Sequence, residues 1–186
     1  MTDDPLSRFE AAAAQAERVV AAVRVDQLAD PTPCTAWTVR DVINHLTTGN
    51  LLFAAIVSDG PRPDRSADHL GDDHVAAFRD SVTRLSEAFA KHDVLANTYA
   101  TPMGEGPGAL LVSMRFNELM VHSWDVAKAT GQSTDLDPEL AEASLASFQA
   151  APFLPRGEGK PFQESKPVPP DATAADRLAA FMGRRV

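Results

Sequence analysis

Glu118, His122 and Asp125 follow one another at intervals of four and three within Arg115-Phe-Asn-Glu-Leu-Met-Val-His-Ser-Trp-Asp125. On an α-helix, residues three and four apart are neighbours, so all three share a face. At ~100° per residue, Leu111, Met114, Leu119, Val121, Val126 and Ala129 form an apolar arc, and Glu118 and His122 sit near its middle. A carboxylate turned toward its own helix's core needs a partner, because an unpaired buried charge is costly or changes its protonation state. A divalent cation is one such partner. Imidazole and carboxylate donors suit zinc, nickel or iron(II), and ligand type alone does not choose among them.

A catalytic divalent site has three side-chain ligands and an open position. A helix bundle gathers such ligands from facing helices. Five histidines are available. His69, His74 and His92 fall in polar or terminal segments and read as solvated. His45 follows Val42 by three positions and precedes Leu46 and Leu52, which turns it inward. His45, Glu118 and His122 then make a two-histidine, one-carboxylate set. The alternative on the same residues is a polar network satisfied by hydrogen bonds alone.

Other side chains have two readings each. Asp125 is either a carboxylate that accepts a hydrogen bond from a ligand histidine or a helix-surface charge. Arg115, one turn before Glu118, either holds an anionic group or makes a surface salt bridge. Asp125 and Arg115 are the candidate catalytic residues. Cys34, just before a helix, reads as a small buried hydrophobe rather than a nucleophile or ligand. Trp37 and Trp124 read as core side chains rather than substrate platforms. Tyr99 and Thr101 are placed at the border of a pocket.

These residues need helices to position them, and helical signals dominate. Helices are expected over about 6–28, 37–58, 72–91, 109–130 and 138–149, with a last short one after Thr173-Ala-Ala-Asp176, a weak capping box. Thr35 or Thr38 is suited to cap the second. Residues 95–100 read as briefly extended, and the glycines and prolines of 102–108 as a loop. Gly131 ends the fourth helix. Residues 152–170 are rich in proline, glycine and charge and read as a strap. The order describes an all-α four-helix bundle. One bundle with an additional short helix is expected over 1–151. The strap and terminal helix, 152–186, are expected to rest on the same domain.

Composition excludes several roles. The 186 residues are 44% hydrophobic and suffice for one domain with its own core. A formal charge of −9 without a basic stripe argues against nucleic-acid binding. No stretch of about 20 apolar residues could span a membrane. The acidic N-terminal residues do not read as a secretory signal. One cysteine excludes an intramolecular disulfide and fits a reducing cytoplasm.

Two longer motifs sharpen the reading. Thr-Pro-Cys-Thr-Ala-Trp-Thr-Val-Arg-Asp-Val-Ile-Asn-His45 resembles the second-helix signature of the DinB-like superfamily, and more narrowly of the mycothiol-dependent maleylpyruvate isomerase N-terminal domain group. Glu118-Leu-Met-Val-His122-Ser-Trp-Asp-Val-Ala-Lys-Ala-Thr-Gly131 resembles the matching fourth-helix signature. The tail, Val168-Pro-Pro-Asp-Ala and Asp176-Arg-Leu-Ala-Ala-Phe-Met-Gly183, is similar to the ending of a compact actinobacterial metal-binding subgroup. The resemblance implies an up-down-down-up four-helix bundle and one metal held by His45, Glu118 and His122, with zinc the first choice and nickel or iron the alternatives. It also implies mycothiol as co-substrate, with the metal activating this small thiol for transfer to an electrophile. The maleylpyruvate isomerase carries a further C-terminal domain that this chain does not match, so a thiol S-transferase is the better expectation. A non-catalytic metal- or ligand-binding bundle is the alternative. Bundles of this kind often form homodimers.

Overall fold

The computed structural model describes residues 4–34, 36–101, 104–151, 156–157 and 163–186. Helix α1 (Pro5–Ala21) starts where Asp4 accepts a hydrogen bond from Ser7 N at 2.8 Å and Pro5 takes the first turn, where its missing N–H is harmless. It ends earlier than the apolar spacing suggests. Residues 25–27 form a 3-10 turn instead, held by the Gln27 side chain: Oε1 accepts from Arg24 N at 3.1 Å and Nε2 donates to Thr130 O at 3.0 Å.

Helix α2 (Val39–Val57) opens on a capping box. Asp41 N donates to Thr38 Oγ1 at 3.2 Å, and Thr38 N to Asp41 Oδ2 at 2.9 Å. Thr38 is therefore the cap, and the other candidate, Thr35, lies outside the described residues. Helix α3 (His74–Lys91) is capped by Asp73. His74 is not solvated as expected. It is buried in the first turn, with Nε2 3.3 Å from Val23 O. His69 and His92 are half-buried.

The extended stretch expected over 95–100 is present as β1 (Thr98–Thr101), but the segment expected as a loop pairs with it antiparallel as β2 (Gly104–Pro107), registered Thr98 to Pro107 and Thr101 to Gly104. Gly-Glu-Gly-Pro carries almost no side chains to alternate, so backbone pairing leaves no periodic trace in the sequence. Residues 102 and 103 lie outside the described set.

Helix α4 (Gly108–Ala129) corrects the single-arc reading. Its buried residues point in every direction, from Leu111, Phe116 and Met120 to Trp124 and Val126, because α1, α2 and two later helices, α5 (Pro138–Gln149) and α6 (Ala174–Phe181), all pack against it. Asn117 is satisfied from a neighbouring helix: Ser144 Oγ donates to Asn117 Oδ1 and Asn117 Nδ2 to Ser147 Oγ, both at 2.9 Å. Helices α1 and α4 pair, α2 and α3 pair, and α2–α4 and α1–α3 contacts close the four-helix bundle. Phe9, Ile43, Leu46, Phe78, Leu85 and Leu119 fill its centre.

Helix α5 (Pro138–Gln149), capped by Asp137, lies on α4. Much of the expected strap falls outside the described residues. From 163 the chain runs without regular structure to Thr173, which caps α6 (Ala174–Phe181). Helix α6 rests on α4 and α5, and Trp124 Nε1 donates to Asp176 Oδ1 at 2.8 Å. No described helix is long and apolar enough to cross a membrane.

Candidate metal centre

The capping box fixes where α2 begins, and two turns later the helix presents His45 toward α4. There Glu118 and His122 stand one turn apart. His45 Nε2 lies 2.7 Å from Glu118 Oε2, and His122 Nε2 lies 3.6 Å from the same oxygen. One donor atom from each of the three residues falls within 4.8 Å of the others. His122 is buried, but the Glu118 side chain is 37% exposed. The carboxylate is thus not sunk in the core, as its apolar flanks suggested. It stands at the mouth of a cavity.

That cavity has a volume of about 620 Å3 and is lined by Trp37, Asn44, His45, Leu52, Arg115 and Glu118, among others. Burial would raise the Glu118 pKa. The His45 hydrogen bond, then the charges of His122, His45 and Arg115, outweigh it and hold the carboxyl down to about 2. Glu118 is therefore an anion at neutral pH, as a metal ligand must be.

Behind His122 runs a second line of contacts. Nδ1 lies 2.9 Å from Asp125 Oδ2, and Asp125 is fully buried. Burial works against its charge, yet the bonds from His122 and Arg184 hold its pKa below the usual carboxylate value. A carboxylate in this position accepts from Nδ1–H and leaves Nε2, 3.6 Å from Glu118 Oε2, as the nitrogen that would meet a cation. Asp125 thus takes the orienting position rather than the surface one. Arg184 had no signal of its own in the sequence. It follows the tail motif directly, but its pairing with Asp125 is a matter of tertiary contact.

Arg115 makes no surface salt bridge. It is 2% exposed, with Nη2 donating to Asn50 Oδ1 at 2.9 Å and Leu46 O at 3.2 Å. Trp124 is buried as expected, whereas Trp37 borders the site: its ring lies 4.7 Å from the His45 ring and 5.7 Å from that of His122, centroid to centroid. Cys34 is half-buried, and burial pushes its thiol pKa up, so it is protonated at neutral pH. Tyr99 packs against the core and does not line this cavity. Thr101 lines a smaller neighbouring depression that shares Leu52 and Arg65 with it.

The donor set suits a first-row divalent ion: two imidazole nitrogens, one carboxylate held ionised, and a hydrogen-bonded carboxylate behind one imidazole. Open volume on the α2 side leaves room for a further ligand.

The profile of the family described as mycothiol maleylpyruvate isomerase N-terminal domain matches residues 9–127. Two curated relatives, from two strains of Mycobacterium tuberculosis and each described as an uncharacterized protein, are 41% identical over 185 residues. Those matches cover 98% of this chain and 99% of the relatives. The crystal structure of the mycothiol-dependent maleylpyruvate isomerase superposes with a TM-score of 0.63 at 16% identity, over 77% of this chain and 67% of that one. A histidine-to-alanine variant of the same enzyme gives 0.64 over the same shares.

Proposed function

The chain belongs to the mycothiol maleylpyruvate isomerase N-terminal domain family, and from that premise we propose that it is a metal-dependent thiol S-transferase acting with a small thiol of the mycothiol type. The observation that carries this reading is the meeting of His45, Glu118 and His122 from two helices, with His45 and Glu118 at the wall of an open cavity. These three would hold the ion, zinc first among the candidates. When bound, such an ion supplies Lewis acidity and lowers the pKa of a thiol in its open position.

The chain's own residues do the rest. Asp125 holds His122 in one tautomer and one orientation. Glu118 brings a negative charge, so two neutral histidines and one carboxylate leave a divalent ion with one net positive charge. Trp37 packs beside both imidazole rings at the cavity wall. No side chain of the cavity need act as base, because deprotonation accompanies coordination. Cys34, protonated and half-buried, is not the nucleophile. The solved isomerase extends well beyond the part this chain matches, which favours thiol transfer over isomerisation of maleylpyruvate.

The test is metal analysis of purified protein beside His45→Ala and His122→Ala, followed by mycothiol conjugation to a bromobimane electrophile. One ion per chain, lost in both variants together with thiol conjugation, is the expected result. Equal metal content in all three proteins would sink the reading, and so would full conjugation activity in the metal-free variants.

A further inference from the structure

The cleft between α2 and α4 changes character with distance from the His45–Glu118–His122 cluster. On α2, positions 45, 49, 52 and 56 recur at helical spacing and share one face. That face starts at His45 and passes Gly49, where a Cβ would stand 2.9 Å from Arg115 Cζ. It then continues as Leu52 and Ile56. On α4, Met114 stands one turn before Glu118 and lines the same cavity. Leu52 and Met114 are half-buried, so each keeps apolar area open to the cleft. The carboxylates among the described lining residues lie at the other end. Glu118 belongs to the cluster, and Asp41 comes one turn before His45.

Beyond Leu52 a second depression of about 330 Å3 continues the first and shares Leu52 and Arg65 with it. Ile56, Pro63 and Ala100 add apolar surface there, and no acidic side chain is among its described lining residues. Its arginines, Arg62 and Arg65, are exposed, which keeps their charges hydrated. Ala100 and Thr101 come from β1, so the hairpin bounds this end. From position 49 to position 56 the helix rises about 10 Å. An apolar trough of that length, leading away from a polar centre, favours an apolar chain, since each methylene that leaves water contributes on its own.

We infer that the electrophile of this site carries an apolar chain, seated along Leu52, Met114 and Ile56 with its reactive end at the cluster. The inference names the substrate class for the thiol-transfer reading and rests on that reading for the role of the cluster. An enal or enone with an alkyl tail is the simplest member of the class. The thiol sulfur bonds to the β carbon, and the alkene's π pair moves to the α carbon. There it takes up a proton, replacing the one the thiol gave up. Nothing leaves and nothing is oxidised.

Conjugation of mycothiol to but-2-enal, hex-2-enal and non-2-enal by the metal-loaded protein tests the chain. In an open trough that buries each methylene by about half, kcat/KM should rise about twofold per methylene, or about thirtyfold from the shortest enal to the longest. Leu52→Gln and Ala100→Asp should each flatten that rise to within about fivefold. Ala100 is exposed, so the second variant keeps the test open should the first fail to fold. Calorimetric titration of the metal-free protein with nonanamide and propanamide keeps the two readings apart. Nonanamide should bind at least about tenfold tighter, and Leu52→Gln should remove the difference. That result in a protein that holds no metal and conjugates no thiol would uphold the apolar seat and overturn the thiol-transfer reading. Conjugation with no gain from chain length, or with an equal gain in wild type and both variants, would overturn the apolar chain and leave thiol transfer standing. Nonanamide binding no tighter than propanamide would overturn the apolar chain as well.

Discussion

Arg184 grips Asp125 with two hydrogen bonds, Nε to Oδ1 at 3.0 Å and Nη2 to Oδ2 at 2.7 Å, and Asp125 in turn holds His122 Nδ1 at 2.9 Å. A residue beyond the last helix thereby fixes the orientation of a candidate ligand in the middle of α4. Arg184→Ala leaves a fully buried carboxylate with half its partners. It should cost about 3 kcal/mol of stability, as expected when one member of a buried pair is removed, and lower metal affinity about 10–100-fold. Asp125→Asn should lower metal affinity by a similar factor. Denaturant unfolding and a metal competition assay measure the two effects. Wild-type metal affinity in both variants would show that the line behind His122 is structural only.

Glu118 gives a pH signature in the metal-free protein. Burial opposes its charge, but His45 and the neighbouring cations hold the folded-state pKa at about 2, below the ordinary 4.5. A depressed folded pKa means the folded state binds fewer protons than the unfolded one. The contribution is therefore fully present above pH 4.5 and lost as pH falls toward about 2. Wild type should lose more stability than Glu118→Gln across that window, as read from unfolding midpoints at each pH. Parallel curves would contradict the ion-pair account of this residue.

Trp124 connects the bundle to α6 through its bond to Asp176 at 2.8 Å. Trp124→Phe removes that bond and some buried ring area. A loss of about 1–2 kcal/mol is expected, with faster hydrogen exchange in α6 than in α2. Uniform exchange changes across the bundle would speak against a local tether.

Gly108 starts α4 directly against the Val94 carbonyl oxygen, which a Cβ would overlap. The obstacle is backbone, so no rotamer change relieves it. Gly108→Ala should destabilise by about 3 kcal/mol or more, visible as a lower melting temperature. Gly131, whose Cβ would meet nothing within 4 Å, has a positive φ of 71° as its only restriction. Gly131→Ala should cost only about 1 kcal/mol.

The sequence by itself determined what depends on neighbours along the chain. The four-residue step from Glu118 to His122 places both on one helical face whatever surrounds that helix. Thr38 and Asp41 make their capping box from local bonds, and the spacing around His45 turns it toward the bundle. Helix existence was legible for the same reason, and the family motifs were legible because they lie on two such helices. What only the tertiary structure decided involves residues brought together from afar. That α4 is wrapped on all sides cannot be seen in its pattern, since burial there depends on α1, α2, α5 and α6. The 2.7 Å contact between His45 and Glu118 spans 73 residues and exists because α2 packs on α4. Arg115 looks like a surface charge until Gly49 and Phe53 enclose it, and Arg184 has no role until the chain returns 59 residues later to Asp125. Local spacing sets which way a side chain points from its own helix. Only packing between helices sets what it meets.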